Sequence, residues 1–181
     1  MNFSHYSDRP VALAVDLVNT RQISEDTIGE PAQLDAFMNE YRDMWADVAK
    51  PPKPSDLPKV HKLRESLRSV IESPDHDTAS ERINKILNDY GASPRVSVHN
   101  GDPHLHFEPV QGNLICWLGA ITAMGLATVL IEDGIERFGV CNAGDCEDVF
   151  VDSSRNRSRL HCSTTCSTRE AVASYRKRQA E

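Results

Sequence analysis

Four of the five cysteines fall in two close pairs near the C-terminus, Cys141/Cys146 and Cys162/Cys166, with fifteen residues between the pairs. No other feature restricts the fold so tightly. A structural zinc takes four soft ligands at tetrahedral corners, about 2.3 Å from the metal, usually as two close pairs from separate turns. The C-x4-C and C-x3-C spacings meet that demand. Gly144 in the first loop allows the tight turn that points two sulfurs at one ion, and "DVFVD" reads as the return strand of a hairpin begun by "RFGV". The second pair stands at the head of a helix, with Ser163, or slightly later Ser167 with Glu170, as its cap. Knuckle, hairpin and helix in this order describe a treble clef.

The same thiols suit two other roles. A helix start lowers thiol pKa, which favours the thiolates a metal needs but also makes them reactive, so a redox switch built on the two pairs stays open. His161 beside Cys162 is an alternative ligand. Catalytic zinc fits poorly, because four cysteines close the coordination shell. Cys116 lies alone in an apolar run and is expected to pack as a small buried hydrophobe. The N-terminus has no charged segment followed by an apolar one, so neither a secretory signal nor a disulfide framework is expected, and a cytoplasmic location follows.

Ahead of the cysteines the chain has room for a larger domain, placed at residues 1–134 with the finger at 135–181. "PVALAVDLVNTR" is apolar throughout and fits a helix or a strand; Pro10 at its head suits a first helical turn. "EPAQLDAFMNEYRDMWADV" places Leu34, Phe37, Met38, Tyr41, Trp45 and Val48 on one face of a single helix. Four prolines between Pro51 and Pro58 exclude a helix interior there and link it to the next helix, which starts near Pro58 and carries Val60, Leu63, Leu67, Val70 and Ile71. A further helix begins at Thr78, with Glu81 completing a capping box; it carries Ile83, Ile86 and Leu87 and stops at Gly91. Val96, Val98, Leu105 and Phe107 then alternate around "NGD" as in a half-buried hairpin, with His104 and His106 on its other face and His99 opposite them. A metal site among these histidines is the weaker reading.

Residues 114–131 are uncharged, which reaches the length of a membrane span. The run is single and internal, holds Gly119, Thr122, Gly125 and Thr128, and is flanked by Glu132 and Asp133 rather than by basic anchors. A central buried helix is expected, with small residues letting its neighbours come close, and no membrane partner. The expected fold is α+β: a mainly helical N-terminal domain with a β-hairpin, followed by a small treble-clef zinc finger.

Net charge is −7, yet residues 155–178 hold seven basic groups against one acid. A basic tail on an acidic body points to a polyanion-binding module. Arg155, Arg157 and Arg159 lie in the loop approaching the last helix, and Arg169, Arg176, Lys177 and Arg178 on that helix, with Val172 and Tyr175 expected to face the rest of the domain. Arginines on a metal-clamped helix can contact phosphates and pair with guanine in a major groove. The plainer reading is that late-helix cations only complement the helix dipole.

With "CNAGDC", "FVDSSRNRSR", "CSTTCSTREAVASYRKR" and the N-terminal "VALAVDLVNTR" taken together, the chain resembles the bacterial CGNR-type zinc-finger proteins, regarded as stress-induced transcriptional regulators. That resemblance implies an α+β domain known as ABATE joined to a treble-clef finger, zinc on Cys141, Cys146, Cys162 and Cys166, and Arg169 as the arginine of the motif. Asp16, Asn19 and Thr20 match the N-terminal hallmark. Three positions depart from the pattern: Ser167-Thr168 replaces Gly-Asn, and His161 replaces an aromatic residue.

The function expected is a regulator whose finger binds duplex DNA, with an N-terminal domain that senses a small-molecule effector or mediates homodimerisation. Asp16, Asn19 and Arg21 are candidates to line an effector pocket; equally, Asp16 and Asn19 can satisfy backbone groups or cap an element. The competitor is a module that docks its finger on an acidic protein partner. No nucleophile with a base, phosphate loop or paired carboxylates stands out, so no catalytic residue is assigned and an enzyme is the weaker class.

Overall fold

The computed structural model describes residues 8–45, 51–98, 104–109 and 112–180. Its elements run α1 (Asp8–Asn19), α2 (Pro31–Asn39), α3 (Arg42–Trp45), α4 (Leu57–Ile71), α5 (His76–Asp89), β1 (Ala92–Ser97), β2 (His104–Pro109), α6 (Leu114–Glu132), β3 (Phe138–Val140), β4 (Val149–Val151) and α7 (Thr164–Ala180). The fold is α+β, mostly helical, with two separate two-stranded antiparallel sheets.

The uncharged run forms α6, and α1, α4, α5 and the first hairpin pack around it. Being apolar on every side, it can be satisfied only by burial. It is the one described helix long and apolar enough to cross a membrane, and 83% of that stretch is buried inside the fold. Its small residues act as expected. A Cβ on Gly119 would meet the Tyr90 ring at 2.2 Å, and one on Gly125 would meet the Pro10 backbone at 2.8 Å. Thr122 and Thr128 return their hydroxyls to the carbonyls of Leu118 and Met124, so no polar group is stranded.

The N-terminal apolar run is a helix, with Leu13, Ala14, Leu17 and Val18 wholly buried. The expected single helix after Glu30 is instead two. It breaks where Glu40 closes α2, and a new turn begins at Arg42; Leu34, Met38 and Tyr41 are still buried. Val48 lies outside the described residues. The proline segment contains a 3-10 turn, Pro54–Asp56, before α4. Helix α5 starts two residues earlier than Thr78, because Asp75 and not Thr78 is the cap, its carboxylate accepting from the Thr78 backbone N–H at 2.8 Å. Gly91 takes φ +65° just past α5, as a helix stop requires.

In the first hairpin Val96 lies opposite Leu105 and Pro94 opposite Phe107. Val96 and Val98 are 76% and 65% exposed, so their side of β1 is not half-buried as the alternation implied. His104 and His106 lie opposite Ser97 and Arg95; His99 is outside the described residues. Cys116 is only half-buried and receives the Asn113 amide N–H at 3.1 Å.

Gly134, at φ +92°, turns the chain out of α6 into the second hairpin, β3 against β4. This hairpin is not a free appendage. Val149 is wholly buried within the main core, and Ile135 and Phe138 pack against it. The cysteines and α7 extend from its far side.

Candidate metal centre

The sulfurs of Cys141, Cys146, Cys162 and Cys166 all lie within 4.8 Å of one another. Cys162 Sγ is 3.6 Å from both Cys146 Sγ and Cys166 Sγ. Metal–sulfur bonds of about 2.3 Å at tetrahedral angles put the sulfurs about 3.8 Å apart, whereas a disulfide would need about 2.05 Å. All four cysteines are free thiols, gathered closely enough to enclose one ion.

The electrostatics of the four thiols argue the same way. Burial raises the Cys146 thiol to about 11 and pushes Cys162 higher still. At Cys141 burial also acts upward, but the backbone N–H groups of Cys162 and Ala143, together with the neighbouring thiols, outweigh it and bring that thiol down. Four thiols in contact cannot all ionise unaided. A divalent cation supplies the missing countercharge, so this donor set fits structural zinc.

Local sequence builds each knuckle. In the first, the Cys146 N–H donates to the Ala143 carbonyl at 3.1 Å, and the Cys141 N–H to Asp148 at 2.8 Å. In the second, Ser163 caps α7, its hydroxyl accepting from the Cys166 N–H at 3.2 Å. Glu170 forms no box with Ser167; its carboxylate accepts from the Gly144 N–H at 3.2 Å and ties α7 to the first knuckle. Arg169 makes a second tie. Its Nη2 donates to Cys166 Sγ at 3.3 Å and pairs with Asp145 at 2.6 Å.

The loop between the knuckles is folded around Asp152, which is 3% exposed. Its carboxylate accepts from the N–H groups of Ser154 at 2.7 Å and Arg159 at 2.9 Å. Burial alone would raise this carboxyl; the hydrogen bonds from Ser154 and Arg159, with Arg137 nearby, hold it below its ordinary value. Arg159 donates to the carbonyls of His161 and Cys162 and lies 5.0 Å over the Phe150 ring. Arg157, at φ +50°, pairs with Glu136.

The seven basic residues thus divide. Arg157, Arg159 and Arg169 are engaged within the fold, while Arg155, Arg176, Lys177 and Arg178 are exposed with no ion pair to a described residue. Val172 and Tyr175 do not face the domain as expected. They are 43% and 58% exposed, because α7 projects from the knuckles with residues 171–179 all in solvent.

Asp16, Asn19 and Arg21 have three different surroundings. Asp16 accepts from the Tyr41 hydroxyl. The Asn19 amide pairs with the backbone of Val149, donating to its carbonyl at 3.0 Å and accepting from its N–H at 2.8 Å. Arg21 lines a cleft of about 490 Å³ with Val18, Arg64, Arg68, Val140 and Glu147, which places residues of α1, α4 and the finger on one cavity. Arg68 crosses it, donating to the Glu147 carbonyl at 2.8 Å. Asn19 thus takes the backbone-satisfying role that was its alternative, with a partner, Val149, that sequence does not reveal; the acids beside Cys146 in "GDCED" were the available sign that this knuckle has charged partners.

A four-cysteine shell at the head of a basic helix, mounted on a helical body, defines a zinc-finger protein. Residues 137–179 match the family model of the CGNR zinc finger, and residues 11–133 match the ABATE model, described as "Putative stress-induced transcription regulator". The chain belongs to this family. No curated protein matches it.

Proposed function

We propose that the chain is a cytoplasmic DNA-binding transcriptional regulator. A treble-clef finger, residues 135–181, holds duplex DNA, and the helical domain, residues 1–134, senses a small-molecule effector or pairs with a second copy. The observation that carries this reading is the set of unengaged cations, Arg155, Arg176, Lys177 and Arg178, on and beside a projecting helix clamped at its base by the cysteine shell. Cations that stabilise no internal contact are free to replace counterions along a phosphate backbone. Arg157, Arg159 and Arg169 then support the surface rather than form it.

Four such groups give modest affinity, with a salt slope of at most about −4 on logarithmic axes, so a second copy or partner is needed for useful occupancy. The cleft at Arg21 supports an effector role for the helical domain, since a molecule there would touch the finger through Val140 and Glu147. No enzymatic step is assigned.

The test is fluorescence anisotropy of the zinc-loaded chain on mixed-sequence duplex across a salt series, beside a variant with the four free cations changed to Ala. Steep salt dependence that the variant flattens supports the reading. Absence of binding at low salt rejects it. The exposed Val172 and Tyr175 favour a second reading, docking of α7 on an acidic protein partner; competition by duplex DNA separates the two.

A further inference from the structure

The four sulfurs have unequal surroundings. Cys141 receives the backbone N–H groups of Cys162 and Ala143, Cys146 that of Asp148, and Cys166 the Arg169 guanidinium. Each donor draws charge from its sulfur. Cys162 has one weak donor, the Ser163 hydroxyl at 3.8 Å, and what sets it apart is an Asp148 carboxylate oxygen closer still, at 3.5 Å. Once Cys162 is a metal-bound thiolate it has no proton to give that carboxylate, so a negative group faces its lone pairs and raises their charge density. Exposure runs the same way. Cys141 and Cys166 are 7% and 6% exposed, whereas Cys162 and Cys146 are half-buried.

We propose that Cys162 is the oxidant-sensitive thiolate of the metal centre, oxidised first by hydrogen peroxide and then joined to Cys146 or Cys166 with release of the metal. In the first step the Cys162 sulfur attacks the terminal oxygen of the peroxide. The O–O bond breaks, hydroxide leaves and is protonated to water, and the thiolate is oxidised to a sulfenic acid as the peroxide is reduced. A second thiolate then attacks the Cys162 sulfur; the S–O bond breaks, a second hydroxide leaves as water, and a disulfide forms. Both partners stand 3.6 Å from Cys162, so the bond needs a movement of only about 1.6 Å. Two of the four ligands are then spent, and the remaining two do not retain zinc.

The test treats the zinc-loaded full chain with hydrogen peroxide, follows metal release with a chromogenic chelator, and maps disulfides by peptide mass spectrometry. The first disulfide should contain Cys162 and appear at the rate of zinc release. Asp148→Asn should retain zinc and slow both by about threefold, the scale of one nearby charge at a partly exposed site. A first disulfide lacking Cys162, or no zinc release, would overturn the proposal. So would an Asp148→Asn variant that oxidises as fast as the parent. If that variant fails to hold zinc, the disulfide map of the parent chain decides.

Discussion

The side-chain amide of Asn19 closes two hydrogen bonds with the backbone of Val149, across 130 positions of sequence. It acts as one more rung on the free edge of β4, supplied by the end of α1 rather than by a third strand. Val149 itself is wholly buried in the helical core. The finger is thereby keyed to the body by a polar contact and an apolar one at the same residue.

Asn19→Ala should therefore cost about 2–4 kcal/mol, because a buried donor and acceptor are left without partners. Urea unfolding measures the loss. Hydrogen exchange at the Val149 amide should rise by more than the global change, while Leu13 and Leu17 follow the global change.

Removing the metal should unfold the helix it clamps. α7 has 17 residues, and those from 171 to 179 are all exposed; a helix with so little packed against it depends on its anchored end for stability. Chelation should lower the 222 nm ellipticity, restored by added zinc. The helical body should still melt cooperatively, by about 5 °C lower, since β4 then grips it less firmly.

Acid should act through Asp26. The Arg64 guanidinium holds its carboxyl at about 2, well below the ordinary value. A depressed carboxyl stabilises the fold fully above its unfolded pKa and loses that contribution as pH falls toward its folded one. Stability should thus drop by about 1–2 kcal/mol between about pH 4 and pH 2, the full linkage value being discounted for a side chain one-third exposed. Asp26→Asn should remove this dependence, and it should lower stability at pH 7 because Arg64, whose side chain is 3% exposed, loses its partner. Denaturant titrations at several pH values check both.

Gly125→Ala should cost about 2–3 kcal/mol, since the new methyl would meet the α1 backbone at Pro10 and Val11, which cannot swing aside. At Gly112 nothing lies within 4 Å of a Cβ, and the same substitution should be nearly neutral. Thermal unfolding of the two variants makes the comparison.

The cysteine shell, the central helix and the amphipathic faces of α4 and α5 were legible in the sequence, because spacing and period carry them directly. The break between α2 and α3 was not: Leu34, Met38 and Tyr41 keep helical spacing across it, so the apolar pattern runs on where the backbone does not. Asp75 was passed over as a cap because Thr78 and Glu81 offered a complete local motif three residues on. Val172 and Tyr175 read as core because apolar residues on a short helix usually are, and no local rule reveals that α7 projects into solvent. The roles of Asn19 and Arg169 depend on contacts between distant segments. Their chemistry was visible, but not their neighbours.

The burial of Val149 bears on portability. Cutting the chain after Gly134 would free an intact cysteine shell and its helix, yet leave Ile135, Phe138 and Val149 as a greasy face where the body had been. Such a fragment would self-associate unless those three positions were made polar. Grafting this finger onto a different carrier therefore means supplying a receptor groove for β4, complete with an amide to complement its outer edge.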